Sequence, residues 1–253
     1  MIHFVGAGCG ASDLITVRGA RLLEKADLVV YAGSLVSKDL LNYCRDGIEI
    51  YDSAKLNLEE VMELLVSRAL EGKEVVRLHT GDPSLYGAIA EQIEILEAKG
   101  LEYDVTPGVT AAFGAAASIG TELTLPGITQ TIIFTRVEGK TRMPERESIK
   151  ELSSHGASMA VYLSATRVEE LAKQLLEGGY DKDTPVAICY KVSWEDEKII
   201  ISTVEKMVED TYSNNLTLTT LFLISKALKA KDFEKSRLYA ADFSTCYREA
   251  KNK

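Results

Sequence analysis

The chain has 253 residues, 46% of them apolar and 26% charged, with 18 glycines and 5 prolines in no regular period. That composition excludes a disordered chain, which needs low hydrophobicity and high charge, and it excludes collagen-like and mucin-like sequences. The formal net charge of −9, from 29 basic and 38 acidic residues, has the opposite sign to that of most nucleic-acid binders, so nucleic acid is not expected as a partner.

Cys9, Cys44, Cys189 and Cys246 form no CxxC pair. With His3, His79 and His155 they give no zinc-ligand spacing and no HExxH, so no metal is expected. Scattered thiols of this kind suit a reducing compartment. No run approaches the roughly 18 consecutive apolar residues of a membrane span. Residues 1–6 lack a basic region and a long apolar run, so they read as a first strand and not as a signal peptide. The expectation is a cytoplasmic protein without a membrane partner.

In chain order, residues 2–5 form a short apolar strand running into Gly6-Ala7-Gly8-Cys9-Gly10. A helix follows from Ser12 or Asp13, either of which can cap it. Residues 28–31 form a second strand, ending at Ala32-Gly33-Ser34. Residues 58–71 are helical, with Val61, Leu64, Leu65 and Ala69 on one face and Gly72 as a stop. A third strand at 75–78 runs into Thr80-Gly81-Asp82-Pro83. Asp82 can cap the next helix with Pro83 at its first position, and Leu85, Ile89, Ile93 and Leu96 keep helical spacing up to Gly100. This alternation predicts an α/β protein with a parallel sheet and helices on both faces.

The second half keeps the alternation. Strands are expected at 129–135, 160–163, 186–190, 198–202 and 218–224, and helices at 145–153, 168–177 and 204–211. The small-residue run 115–120 and the polar Pro-Gly stretch 121–127 mark a boundary. Two α/β domains are expected, 1–120 and 121–253, with a ligand cleft between them.

Ligands of parallel sheets lie beyond the carboxyl ends of the strands. Three glycine-containing loops fall there: 6–10, 32–34 and 80–87. Glycine lets a backbone approach a ligand and permits positive φ, although it also simply makes tight turns. Gly6, Gly8 and Ala11 fit a loose G-x-G-x-x-A, which invites an NAD-linked oxidoreductase reading. The acid that fingerprint needs is misplaced: Asp27 precedes the second strand and so sits at its wrong end.

The order of several motifs is more specific. Val5-Gly6-Ala7-Gly8-Cys9-Gly10, Tyr31-Ala32-Gly33-Ser34-Leu35, Gly81-Asp82-Pro83-Ser84-Leu85-Tyr86-Gly87 and Pro107-Gly108-Val109-Thr110-Ala111-Ala112 resemble the tetrapyrrole methyltransferases over essentially the whole chain. The resemblance implies two α/β domains with S-adenosylmethionine held in the cleft, S-adenosylhomocysteine as by-product, and a homodimer. The stretches 31–36, 122–126, 135–145, 193–198 and 236–239 resemble the branch that methylates C11 of precorrin-4 or cobalt-precorrin-4 in cobalamin biosynthesis. Cys9 stands where that family's first loop usually has proline. Leu218 and Thr245 stand where relatives often carry an arginine and a histidine.

Carried over residue by residue, the resemblance implies cofactor contacts at Cys9, Thr80, Gly81, Asp82, Leu85, Thr110, Ala111, Leu163 and Ala187. Asp82 and Thr110 also have plain readings as helix caps. The basic segment Arg136, Lys140, Arg142 and Arg146 is the substrate candidate, because precorrins carry many carboxylates and arginine binds carboxylates bidentately. Its plain reading is a solvated loop with Glu138 and Glu145 as local partners. Arg45 and Arg77 are weaker candidates, and Arg77 in a strand is expected to pair with a carboxylate. Tyr31, Ser34, Tyr86 and Tyr190 are pocket-lining candidates from loop position. No residue is singled out as catalytic acid or base. The alternatives are a sister enzyme acting on another ring carbon, the NAD-linked oxidoreductase, and a non-catalytic tetrapyrrole-binding protein.

Overall fold

Mainly apolar runs without strict alternation build the inner strands of the first sheet, as expected of strands covered on both faces. A computed structural model describes residues 1–251, apart from the side chains of Ser34, Lys229 and Tyr239. The sheet contains β1 (Ile2–Gly6), β2 (Leu28–Tyr31), β3 (Glu49–Asp52), β4 (Val75–His79) and β5 (Tyr103–Thr106) in the order β3-β2-β4-β1-β5. Every pairing in it is parallel. The three inner strands are buried along their whole length, while the edges β3 and β5 are only partly covered.

Four helices accompany this sheet: α1 (Val17–Lys25), α2 (Leu58–Leu70), α3 (Ile89–Ala98) and α4 (Ala111–Ile119). One core joins Ile2, Phe4, Leu28, Val30 and Val75 of the strands to Val61, Met62, Leu65 and Val66 of α2 and Leu96 of α3. The core on the other face joins Val5, Ala7, Val29, Val76 and Leu78 to Ile15, Leu23 and Leu40. Full burial of each large apolar side chain contributes about 1.5–3 kcal/mol.

Two helix starts differ from the sequence expectation. Ser12 and Asp13 lie in a 3-10 turn, Ser12–Leu14, and α1 is capped by Thr16, whose hydroxyl accepts from Gly19 N at 3.0 Å. The helix after Asp82 begins only at Ile89, behind a left-handed Ala88 with φ 50°. Asp82 therefore caps no helix. Its carboxylate is engaged by backbone amides of a turn and of a second loop, and so does not serve α3. The start of α2 carries a reciprocal capping box: Asn57 Oδ1 accepts from Glu60 N at 2.9 Å, and Glu60 Oε2 accepts from Asn57 N at 2.8 Å.

The second sheet contains β6 (Ile132–Arg136), β7 (Ser158–Tyr162), β8 (Pro185–Tyr190), β9 (Lys198–Thr203) and β10 (Thr220–Ile224) in the order β6-β7-β10-β8-β9. It is mixed, with β6 parallel to β7 but β7 antiparallel to β10, so the all-parallel expectation holds for the first sheet alone. Its helices are α5 (Ile149–Ser153), α6 (Val168–Glu177) and α7 (Met207–Ser213). Val168, Leu171, Ala172 and Leu175 form the buried stripe of α6, at the i, i+3, i+4, i+7 spacing of an amphipathic helix.

The chain divides into two units. The first is Met1–Ile119 together with Tyr190–Lys198, and the second is the rest of the described chain. Among the described residues no helix is long and apolar enough to cross a membrane, and no group of three or more His, Cys, Asp or Glu side chains could hold a metal ion.

Candidate functional site

Three loops leave the carboxyl ends of β1, β4 and β5 and are locked to one another by glycines. Gly8 and Gly81 exchange backbone hydrogen bonds, Gly81 N to Gly8 O at 2.8 Å and Gly8 N to Gly81 O at 3.3 Å. Ala7 N donates to His79 O at 2.7 Å. A Cβ on Gly6 would stand 2.6 Å from Gly108 Cα, and one on Gly108 would stand 2.1 Å from Gly81 O. No side chain fits at either place. Gly81 differs: an added Cβ meets nothing closer than Thr110 Cα at 3.7 Å, but its φ of 60° suits glycine. The signal for Gly108 is present in the sequence as Pro107-Gly108, but its role becomes visible only through this contact.

Asp82 ties two of these loops together. Its Oδ1 accepts from Ser84 N at 2.8 Å and its Oδ2 from Gly108 N at 2.9 Å. The turn that follows is tight, with Gly87 pressed on the Pro83 carbonyl and Tyr86 at φ 57°. Thr80 and Tyr86 are exposed, Leu85 is half-buried, and Thr110 and Ala111 lie half-buried where the β5 loop enters α4. Positive φ at non-glycine residues is uncommon and gathers where function over-determines the backbone.

Cys9 is buried, with its thiol against Ser193 Oγ and the α-carbon face of Gly114. Burial pushes the thiol pKa up, which makes it a poor nucleophile. Any ligand contact of Cys9 is thus left to its backbone. Tyr31 is 6% exposed and packs in the core, so its ring does not present itself to a ligand. The backbone of Ser34 lies in the 3-10 turn Gly33–Leu35, and its side chain is outside the described part of the structure.

Asp27 is a structural residue at the amino end of β2. Its Oδ2 accepts from Glu74 N at 2.9 Å and its Oδ1 pairs with Arg45 at 2.9 Å, which together hold its carboxyl below the usual range. The ribose-binding acid and Arg45 are thus engaged with each other at the amino end of β2, opposite the loops that leave the carboxyl ends of the strands. Among the described residues Arg77 finds no carboxylate, contrary to expectation. Its guanidinium donates to Val30 O at 3.2 Å and Ser53 Oγ at 3.1 Å, and Ser53 Oγ in turn donates to Tyr31 O at 3.0 Å. Burial lowers its pKa to about 10.

In the second unit, Leu163 follows β7 with φ 52° and is 68% exposed, an unusual combination for leucine. Ala187 lies in β8 and is fully buried, backbone and methyl group alike. Arg136 ends β6 and folds onto its own loop, donating to Thr141 O at 2.9 Å and Val137 O at 3.3 Å. Lys140, Arg142 and Arg146 are exposed. Among the described residues none of these four cations makes an ion pair; Glu138 instead offers its carbonyl to Arg167, which pairs with Glu170.

The chain is similar to known proteins along nearly its whole length. A family model described as tetrapyrrole (corrin/porphyrin) methylases matches residues 1–208. A cobalt-precorrin-4 C(11)-methyltransferase of Methanocaldococcus jannaschii is 45% identical over 252 residues, covering 100% of this chain and 97% of the relative. The X-ray structure of a cobalt precorrin-4 methyltransferase superposes with a TM-score of 0.88 at 43% identity, over 90% of this chain and 96% of that one. A uroporphyrin-III C-methyltransferase of Thermus thermophilus, solved with S-adenosylhomocysteine, gives 0.77 at 25% identity, over 90% and 98% of the two chains. The chain belongs to the tetrapyrrole methylases.

Proposed function

We propose that this protein transfers a methyl group from S-adenosylmethionine to C11 of cobalt-precorrin-4, or of metal-free precorrin-4, giving the precorrin-5 form and S-adenosylhomocysteine in cobalamin biosynthesis. The observation that carries the reading is the glycine-locked cradle of Gly6, Gly81 and Gly108, in a chain alignable end to end with a relative of that name.

The cradle suits such a cofactor. Residues 6–11, 80–87 and 107–111 contain one residue charged at neutral pH, Asp82, among small, apolar and hydroxyl-bearing neighbours. A backbone-rich site of that kind accepts a neutral nucleoside and a cationic sulfonium. In this reading Cys9, Thr80, Gly81, Asp82, Leu85, Thr110 and Ala111 hold the cofactor, and Leu163 and Ala187 are assigned to it on the resemblance alone. Arg136, Lys140 and Arg142 bind the substrate's carboxylates, with Tyr31 and Ser34 near the ring only through their loop. A homodimer in the cytoplasm belongs to the same reading.

When bound, the cofactor supplies an electrophilic methyl group, whose bond to sulfur breaks as its bond to the ring carbon forms. The protein's part is alignment. Proximity and orientation supply roughly 7–11 kcal/mol when the reacting atoms are held in line. The locked loops fix the cofactor side, and the loop cations fix the macrocycle through its rim. No covalent intermediate on the enzyme is needed, consistent with the raised pKa of the buried Cys9 thiol.

The test is anaerobic incubation with S-adenosylmethionine and cobalt-precorrin-4, followed by mass and NMR analysis of the tetrapyrrole. A gain of one methyl group at C11 is expected. A methyl group at another carbon would make it a sister enzyme, and no gain from either the cobalt or the metal-free ring would overturn the reading.

A further inference from the structure

The segment Tyr190–Lys198 packs on the first glycine loop through side chains to which no role is assigned. Ser193 Oγ accepts a hydrogen bond from Ala11 N at 3.0 Å and lies 3.3 Å from Cys9 Sγ. The indole Nε1–H of Trp194 donates to Cys9 O at 3.2 Å. Between these two anchors Gly10 has no room for a side chain: a Cβ would stand 2.4 Å from Trp194 Cδ1 and 2.5 Å from Val192 O. On its other side the loop rests on α4, where a Cβ on Gly114 would stand 2.5 Å from Cys9 Sγ.

The turn that supplies Ser193 and Trp194 is itself braced. Glu197 Oε2 accepts from Ser193 N at 2.6 Å and from Ser118 Oγ at 3.0 Å. Lys191 Nζ pairs with Asp196 at 2.6 Å and sits over the Tyr190 and Trp194 rings at 5.4 and 5.6 Å. Lys191 and Ser193 adopt φ of 44° and 62°, conformations that L residues hold only when their surroundings compensate the strain. The Gly6-Ala7-Gly8-Cys9-Gly10 loop would otherwise be among the most mobile parts of the chain, because glycine has the most backbone freedom to lose.

We propose that this turn is a positioning clamp: Ser193 and Trp194 hold the backbone from Cys9 to Ala11 in the conformation that receives the S-adenosyl cofactor. The inference rests on the reading that this loop contacts the cofactor. Fixing a loop in its bound conformation raises affinity by removing the ordering cost at the moment of binding.

Trp194 is the only tryptophan in the chain, so its emission reports on the clamp alone. Titration of the full-length protein with S-adenosylhomocysteine is expected to change Trp194 emission with the dissociation constant that calorimetry gives. Trp194→Phe keeps a ring but lacks the donor, and Ser193→Ala lacks the acceptor. Each is expected to weaken S-adenosylhomocysteine by about 3- to 10-fold, the range for one hydrogen bond. The KM for S-adenosylmethionine rises in the same ratio, while kcat and the KM for the tetrapyrrole stay within about twofold. A merely structural role would lower the Tm of the free protein and leave the affinity of the folded fraction unchanged. Ser193→Gly tolerates the positive φ and removes the same hydroxyl, so it serves if Trp194→Phe fails to fold. Wild-type binding with silent Trp194 emission and unchanged affinity in the folded variants overturns the clamp alone. A wild-type protein that does not bind S-adenosylhomocysteine overturns the cofactor reading, and the clamp with it.

Discussion

The Asp82 carboxylate accepts a hydrogen bond from the backbone amide of Gly108 at 2.9 Å, joining the loop after β4 to the loop after β5. The other carboxylate oxygen holds Ser84 N at 2.8 Å within its own turn. One side chain therefore sets both the shape of a loop and its distance from a neighbour. The Gly81 carbonyl completes the same junction, because it fills the space that a Cβ on Gly108 would need.

Asp82→Ala releases both amides. Hydrogen bonds to a charged group are worth about 1.5–3 kcal/mol each, more than neutral ones. Affinity for S-adenosylhomocysteine is expected to fall at least about tenfold, with Tm lowered by a few degrees. Asp82→Asn retains one carbonyl acceptor and should fall between Asp82→Ala and wild type. Calorimetric titration of both variants decides it, and wild-type affinity in Asp82→Ala would remove Asp82 from the cofactor site.

The two glycines whose added Cβ would strike backbone, Gly6 and Gly108, should separate from an open-space glycine in a simple series. Gly108→Ala and Gly6→Ala force a methyl group into backbone atoms that cannot move aside, which costs at least the roughly 1–3 kcal/mol of ordinary overpacking. Gly100→Ala has open space around it and pays only for its φ of 65°, about 1–2 kcal/mol. Urea unfolding measures the stabilities. S-adenosylhomocysteine binding should be lost in the first two and kept in Gly100→Ala. Retained binding in Gly108→Ala would mean that the loops are not held by this contact.

The inner strands β1, β2 and β4 are legible in the sequence because a strand buried on both faces is mainly apolar without strict alternation, here interrupted only by His3, Arg77 and His79. The edges β3 and β5 are not, because Glu49-Ile50-Tyr51-Asp52 and Tyr103-Asp104-Val105-Thr106 mix polar and apolar residues as a loop does. Asp82-Pro83 has the look of a helix start, but its carboxylate is diverted by Ser84 N in a local turn and by Gly108 N, which only the tertiary fold brings near. The glycine loops can be found from their order along the chain. What locks them cannot, since Gly6, Gly81 and Gly108 are brought together by the parallel sheet. Ser193 is further still from local inference, 184 positions from the Cys9 thiol that it faces.

Lys140 and Arg142 are the clean tests of substrate binding, because Arg136 also braces its own loop through Thr141 O and Val137 O. Exposed charge pairs are worth about 0.2–1 kcal/mol, so each alanine variant should raise the tetrapyrrole KM only about 1.5- to 5-fold. The double variant should reach about 2- to 25-fold if the two act independently. Raising the salt concentration should raise the wild-type KM and narrow the gap to the double variant. A double variant with wild-type KM at low salt would make this segment a solvated loop.

His79 lies on the same sheet face as Arg77 and packs on the Phe4 ring, 5.9 Å between centroids. It is 4% exposed, and its Nε2 finds no hydrogen-bond partner among the described residues. Burial, and then the Arg77 charge, lower its pKa to about 3, against about 6.5 for an unperturbed histidine. Between those values the unfolded chain holds a proton that the folded chain does not. Folding stability therefore rises with pH through this window, and it is lost as pH falls from about 6.5 towards 3, by up to about 1.4 kcal/mol per unit from this one residue. His79→Phe keeps a planar ring against Phe4 and removes the titration. Its stability, from urea midpoints between pH 6.5 and 4, should fall less steeply than that of the wild type. Parallel curves for the two proteins would show that His79 takes up its proton in the folded state after all.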